Sequence, residues 1–271
     1  MLLNRIAMPN YLQSGQRRRS HLTNAREHAK APAVVKLDIR HFYPSITKDK
    51  VWRFFVERMS CSADVASLLA RLCTHQGSAP IGSPVSQVLA FHVVRPLLDE
   101  LHALALRSGL CFTCYVDDLT FSGDGANANF LAKASQVVRK HGFTPHAEAC
   151  YGAADDKLVT GVLLTQEGLR VPATQLLKIE AARRQLSLEE DSESRVDLLT
   201  RLIGHLAAAS CIDESFRQER WKYSLELRKL NERLPDRRTE ARNLIIPALP
   251  RLRPVRLTYG AKGCAVSRPP A

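Results

Sequence analysis

A pair of adjacent aspartates set between two short runs of β-prone residues constrains this chain more than any other feature. Phe112 to Val116 and Leu119 to Phe121 flank Asp117 and Asp118, and two such runs around a polar pair predict a tight hairpin with a carboxylate tip. Neighbouring side chains of a strand point to opposite faces, so Tyr115 and Asp117 share one face and Val116 takes the other. On its own an Asp-Asp pair reads first as a solvated turn, because Asp is a favoured turn residue. A second segment of the same construction changes that reading: in Val34 to Arg40, Val35, Leu37 and Ile39 line one face and Lys36, Asp38 and Arg40 the other. If the two strands are neighbours in one sheet, Asp38, Asp117 and Asp118 converge. Crowded carboxylates repel one another unless a cation joins them. Mg²⁺ binds through carboxylates, water and phosphates, and two such ions about 3.5–4 Å apart clamp the attacking and leaving oxygens of a phosphoryl transfer. The pattern points to phosphoryl chemistry on a polyphosphate substrate.

VVKLDIRHFYPSIT (34–47) and YVDDLTF (115–121) resemble the two metal-binding motifs of reverse transcriptases. Lys157 to Leu164, which contains Val159-Thr160-Gly161, resembles the Val-Thr-Gly segment of the retron branch. Asn24-Ala25-Arg26-Glu27-His28 resembles a box of bacterial retron-type members. The likeness runs from about residue 9 to about residue 205. It implies an α+β fold, a palm of antiparallel sheet packed on helices with partial fingers and a helical thumb. The expected division is a basic fingers remnant at 1–32, a palm at 33–172 with a helical fingers insertion at 48–75, a thumb at 173–235, and a basic tail rich in Pro and Arg at 236–271.

The function implied is RNA-directed DNA synthesis on a structured noncoding RNA, in antiphage defence. Asp38, Asp117 and Asp118 would be catalytic and hold two Mg²⁺, with the Ile39 carbonyl completing one metal shell. Ile39, Phe42, Tyr43, Gly82, Ser83 and Tyr115 would meet the incoming dNTP, Tyr43 as the aromatic gate under its sugar. Arg17, Arg18, Arg19, Asn24, His28 and Lys178 would contact nucleic acid. The implied partners are an RNA template, an RNA/DNA duplex, dNTPs, a noncoding RNA and an effector protein. Three departures stand out. The family reads Pro-Gln-Gly where this chain has Pro80-Ile81-Gly82, and a lysine near the leaving pyrophosphate where it has Ala149, with His146 or Lys157 as substitutes. Members normally carry further fingers sequence before the point where Met1 falls, so either the true start lies upstream or the chain is a truncated relative. These departures favour a second reading, an RNA-binding scaffold that kept the fold and the carboxylates but lost turnover; a third is an enzyme with the same metals that adds nucleotides to a primer end without a template.

The remaining residues fit this frame. The chain has 271 residues, 45% of them hydrophobic, which suffices for a sizeable core. Its 39 Lys and Arg against 27 Asp and Glu give a net charge of +12, suited to a polyanionic partner. The first 32 residues read as loop-like, with six basic side chains against the single acid Glu27, and Thr23 as a candidate N-cap that sets Asn24 and His28 on one helical face. Residues 48–75 are predicted helical, with Val51, Phe54, Phe55, Val65, Leu68, Leu69 and Leu72 as the buried stripe. A helix is expected from Ser83-Pro84 to about Ser108, another from Asn129 to His141, a second hairpin from Val159–Leu164 and Leu169–Pro172, and helices from Ala173 to Leu234 with stripes that include Leu176, Ile179 and Leu186. The seven cysteines, Cys61, Cys73, Cys111, Cys114, Cys150, Cys211 and Cys264, read as reduced thiols of a cytoplasmic protein. No apolar run approaches the roughly 20 residues that span a membrane.

Overall fold

The structure is a computed structural model that describes residue 3 and residues 6–233; the expected basic tail and Cys264 lie outside these. In chain order the elements are α1 (His21–Glu27), β1 (Val34–Ile39), α2 (Phe42–Ser45), α3 (Lys48–Glu57), α4 (Ala63–Cys73), α5 (Ser86–Arg107), β2 (Cys111–Tyr115), β3 (Asp118–Ser122), α6 (Ala128–Lys140), β4 (Pro145–Tyr151), β5 (Lys157–Val159), β6 (Val162–Thr165), β7 (Gly168–Arg170), α7 (Ala173–Leu188), α8 (Ser192–Ile212) and α9 (Phe216–Arg233). The protein is a mixed α+β fold built on antiparallel sheet. A four-stranded sheet runs in the order β2-β3-β1-β4 and a three-stranded one in the order β5-β6-β7.

The alternation in β1 decides the layers. Val35, Leu37 and Ile39 enter a core shared with Phe54 of α3, Leu97 and Leu101 of α5, Phe112 and Phe121 of the hairpin, and Phe130 of α6. Lys36 and Asp38 face the other way and remain half-buried. Burying a side chain of the size of Leu37 or Phe121 stabilises by about 1.5–3 kcal/mol, so the helical layer fixes which way the acids point. The N-terminal segment is ordered by the edge of β2: Cys114 N–H donates to Tyr11 O and Gln13 N–H to Cys114 O, both at 2.8 Å. The Tyr11 hydroxyl donates to Asp99 of α5 at 2.6 Å. Residues 1–32 are therefore not simply loop, since α1 lies within them. Its N-cap is Ser20 rather than Thr23, and the two form a reciprocal capping box.

Three further expectations change. The hairpin tip is Val116-Asp117, with Asp118 already the first residue of β3. Val116 adopts φ +61°, a strained conformation for a β-branched residue. In α4 the buried side chains are Ala66 and Ala70, whereas Val65, Leu68 and Leu72 are exposed and Leu69 is partly buried. The run 159–164 is not one strand: Thr160 and Gly161, both at positive φ, form the turn between β5 and β6. The helices α7–α9 close around their own core of Ile179, Ala182, Leu186, Leu199, Leu202 and Leu206, although Leu176 stays exposed.

Candidate active site

The antiparallel register of β1 and β3 pairs Asp38 directly with Asp118, while β3 continues Leu119↔Leu37 and Phe121↔Val35. Cross-strand partners in such a ladder stand about 4.5–5.5 Å apart at Cα, so two carboxylates share one spot. Asp117 joins them from the hairpin tip, where its carbonyl accepts from Ile39 N–H at 3.1 Å. The tip is held from outside too, since Val116 N–H donates to Ser14 Oγ at 3.0 Å.

The electrostatics follow from that crowding. Burial, then the charges of Asp117 and Asp118, raise the Asp38 carboxyl above the ordinary carboxylate range, against opposition from His146 and Lys36. Burial also raises Asp117 and Asp118. Lys36 counters this at Asp118, with Nζ 3.4 Å from Oδ2. The other oxygen, Asp118 Oδ1, is buried without a hydrogen-bond partner. A buried, unpaired carboxylate oxygen among two further acids is the donor set that a hard divalent cation satisfies. Among the described residues the side chains form no ready-made group of three metal ligands. The backbone fixes the convergence of the acids, not a finished coordination shell.

No family model matches the chain. Retron Ec86 reverse transcriptase of Escherichia coli is 24% identical over 196 residues, which are 71% of this chain and 61% of that protein. Retron Mx65 reverse transcriptase of Myxococcus xanthus is 30% identical over 212 residues, 69% of this chain and 49% of that protein. This chain is homologous to the retron reverse transcriptases. It spans about half to three-fifths of the length of these two relatives. Among solved structures, apo telomerase from Candida tropicalis, truncated from its C-terminal domain, aligns at a TM-score of 0.41 with 10% identity, over 56% of this chain and 38% of that one, too distant to carry an argument.

In this retron homologue the other residues singled out by sequence fall into three groups. Tyr43, in the one-turn helix α2, lies close enough to Asp117 for that charge to add to burial in raising its phenol. Tyr115 is the cross-strand partner of Asp118. Ile39 and Phe42 are buried, so Ile39 has only its backbone to offer and Phe42 stacks edge-on against Tyr43. Gly82 and Ser83 lie in the loop before α5 and share no hydrogen bond with the acids; the space over Gly82 is open. Arg17, Arg18 and Lys178 are exposed. The Arg19 guanidinium is occupied by the carbonyls of Asn10 and Leu12.

Asn24 and His28 are corrected. Both are fully buried and meet protein rather than solvent. His28 bridges the hairpin through Nδ1 to Ser122 Oγ and Nε2 to Thr113 Oγ1, each at 2.7 Å. Asn24 Nδ2 donates to Thr160 Oγ1 at 3.3 Å, and the Thr160 hydroxyl donates to His21 O at 2.8 Å. The two retron-like boxes thus clasp each other, and α1 is wedged between the two sheets. Of the substitutes for the absent lysine, His146 faces Asp38 across β1 and β4. Lys157 is buried, with Nζ on Asp155 O at 3.2 Å. The ion pair of Lys36 with Asp118 was missed, yet its signal was present: two residues apart on a strand, Lys36 and Asp38 share a face.

Proposed function

We propose that this chain is the palm and thumb of a retron-type, RNA-directed DNA polymerase that copies a structured noncoding RNA in antiphage defence. The reading is carried by one observation: Asp38 and Asp118 are cross-strand partners beside Asp117, with a buried Asp118 oxygen left unpaired. Asp38, Asp117 and Asp118 would hold two Mg²⁺, which when bound supply Lewis-acid polarisation of the phosphates and acidify the primer 3′-hydroxyl. The protein's own groups do the rest. Lys36 opposes the upward push of burial on the Asp118 carboxyl. Tyr43 stands beside Asp117 as the surface on which a nucleotide sugar rests. In the thumb, Arg183, Arg217 and Arg228 are paired to glutamates. Lys178, Arg184 and Lys229 carry no acid partner among the described residues and are left for a duplex backbone. The dNTPs, the template and an effector protein belong to this same reading. So does a cytoplasmic setting, with which the six described cysteines, all free, accord. No described helix is long and apolar enough to cross a membrane.

A second reading, an RNA-binding scaffold without turnover, draws on two observations. Ala149 sits opposite Lys36 with no ionisable group of its own, and Ile81 projects 79% exposed where the family has a polar side chain. A general acid contributes about 10²- to 10⁴-fold in rate, so its loss would leave binding and remove speed. Primer extension with Mg²⁺, with and without RNA template, separates the readings when run beside Asp117→Asn. Template-dependent extension that the variant loses is the expected result. No extension by either protein establishes the scaffold, and extension indifferent to template establishes a terminal nucleotidyltransferase.

A further inference from the structure

On the helical side of the four-stranded sheet, α3 and α5 border a cleft of about 330 Å³ lined by Lys50, Arg53, Glu57, Arg58, His141 and Phe143. Three permanent cations face one carboxylate there. None of Lys50, Arg53, Glu57 and Arg58 forms an ion pair among the described residues, and Arg53 and Arg58 are exposed at the mouth. Lys50 reaches inward: its Nζ donates to Gly142 O at 3.2 Å and lies 3.6 Å from the centroid of the Phe143 ring. Burial and then the neighbouring Arg53 lower the Lys50 pKa, so Lys50 is already engaged by Gly142 O and the Phe143 face while the Arg53 and Arg58 guanidinium donors at the mouth stay free among the described residues.

Holding like charges together in a half-desolvated cleft is unfavourable unless an anion joins them. We propose that this cleft is a second anion site, which takes a phosphate group on Lys50, Arg53 and Arg58. It is separate from the carboxylate site, because Leu37 and Ile39 turn into the core shared with α3 and α5 while Asp38 turns to the opposite face. An anion bound there is therefore not the reacting nucleotide. The phosphate comes from a free phosphate compound or from the backbone of an RNA that wraps around the helical face. Both present the same dianionic or monoanionic oxygens to a guanidinium fork.

The test uses the full chain without divalent metal. Inorganic triphosphate is titrated by calorimetry, and a labelled RNA hairpin is titrated over a salt series. The proteins are wild type, the double variant R53E/R58E at the cleft mouth, and R71E/R107E as an exposed control of equal charge change. Saturable triphosphate binding that weakens about tenfold or more in R53E/R58E but not in the control supports the site with a free phosphate as its ligand. An RNA salt slope that falls by about one or more in R53E/R58E alone supports it with an RNA phosphate. Equal losses in both double variants, or no change in either assay, overturn it. Both titrations are run without catalysis, so a chain that fails primer extension can still show this site, and failure of the polymerase reading and failure of this one are distinguishable.

Discussion

His28 sits fully buried with both ring nitrogens engaged by hydroxyls at 2.7 Å, and a charged imidazolium is costly in a seat without water. Burial accordingly lowers its pKa from 6.5 to about 4. The unfolded chain then binds more protons than the folded one between those values, so this residue's contribution is complete above pH 6.5 and is lost as pH falls towards 4. We expect wild type to lose about 2 kcal/mol more than His28→Gln between pH 7 and pH 5, measured by denaturant unfolding. Parallel pH dependences for the two proteins would remove His28 from this role. The spacing of Asn24 and His28 disclosed a shared helical face, but not its burial. A seven-residue helix offers only Leu22 and Ala25 as apolar markers, too few to fix which side is inside, and here the seat is made by residues far along the chain.

At the scale of elements, the sheet was legible and one helix was misread. Alternation from Val35 to Arg40 has one half-buried solution, which β1 adopts because a slip of one residue would bury Asp38, whereas β3 is buried on both faces from Leu119 to Ser122, its polar side covered by His28 at the end of α1. The tip was displaced because the turn pair is decided by backbone twist and by Ser14, neither of which the Asp-Asp pair reveals. Helix α4 offers two stripes at helical spacing, one of Val and Leu and one of Ala. The alanines face inward because α3 runs close by, with Trp52 Nε1 donating to Ala63 O at 3.3 Å, and close helices need small side chains between them. Hydrophobicity ranks Leu above Ala; interhelical distance reverses the order. Phe121→Ala in β3 should therefore cost about 3–5 kcal/mol, and Leu72→Lys in α4 no more than about 0.5 kcal/mol. A matched pair of urea titrations checks both, and a large loss at Leu72 would mean that α4 buries its leucines.

Among the described residues there are two larger cores, one under the four-stranded sheet and one enclosed by α7–α9, with a smaller third at α1, β5 and β6. Helix pairs α7·α8 and α8·α9 contact each other far more than they contact the sheet. Contiguous units of that kind open cooperatively below the global unfolding free energy. Native-state hydrogen exchange should show the amides of α7–α9 sharing one opening free energy, lower than that of β1 and β3; a single common value for all of them would contradict two separable cores. Charge belongs to this scale as well, since net +12 could be read directly from composition, whereas which cations remain unpaired could not.

The clasp between Asn24 and Thr160 spans 136 residues. At about 5–20 residues per second of synthesis, α1 leaves the ribosome roughly 7–27 s before its anchoring threonine does. A helix that comes among the first in order is thus among the last to find its seat, and a nascent chain halted short of residue 160 would carry both aspartate-bearing strands with the wedge between its sheets still unsecured.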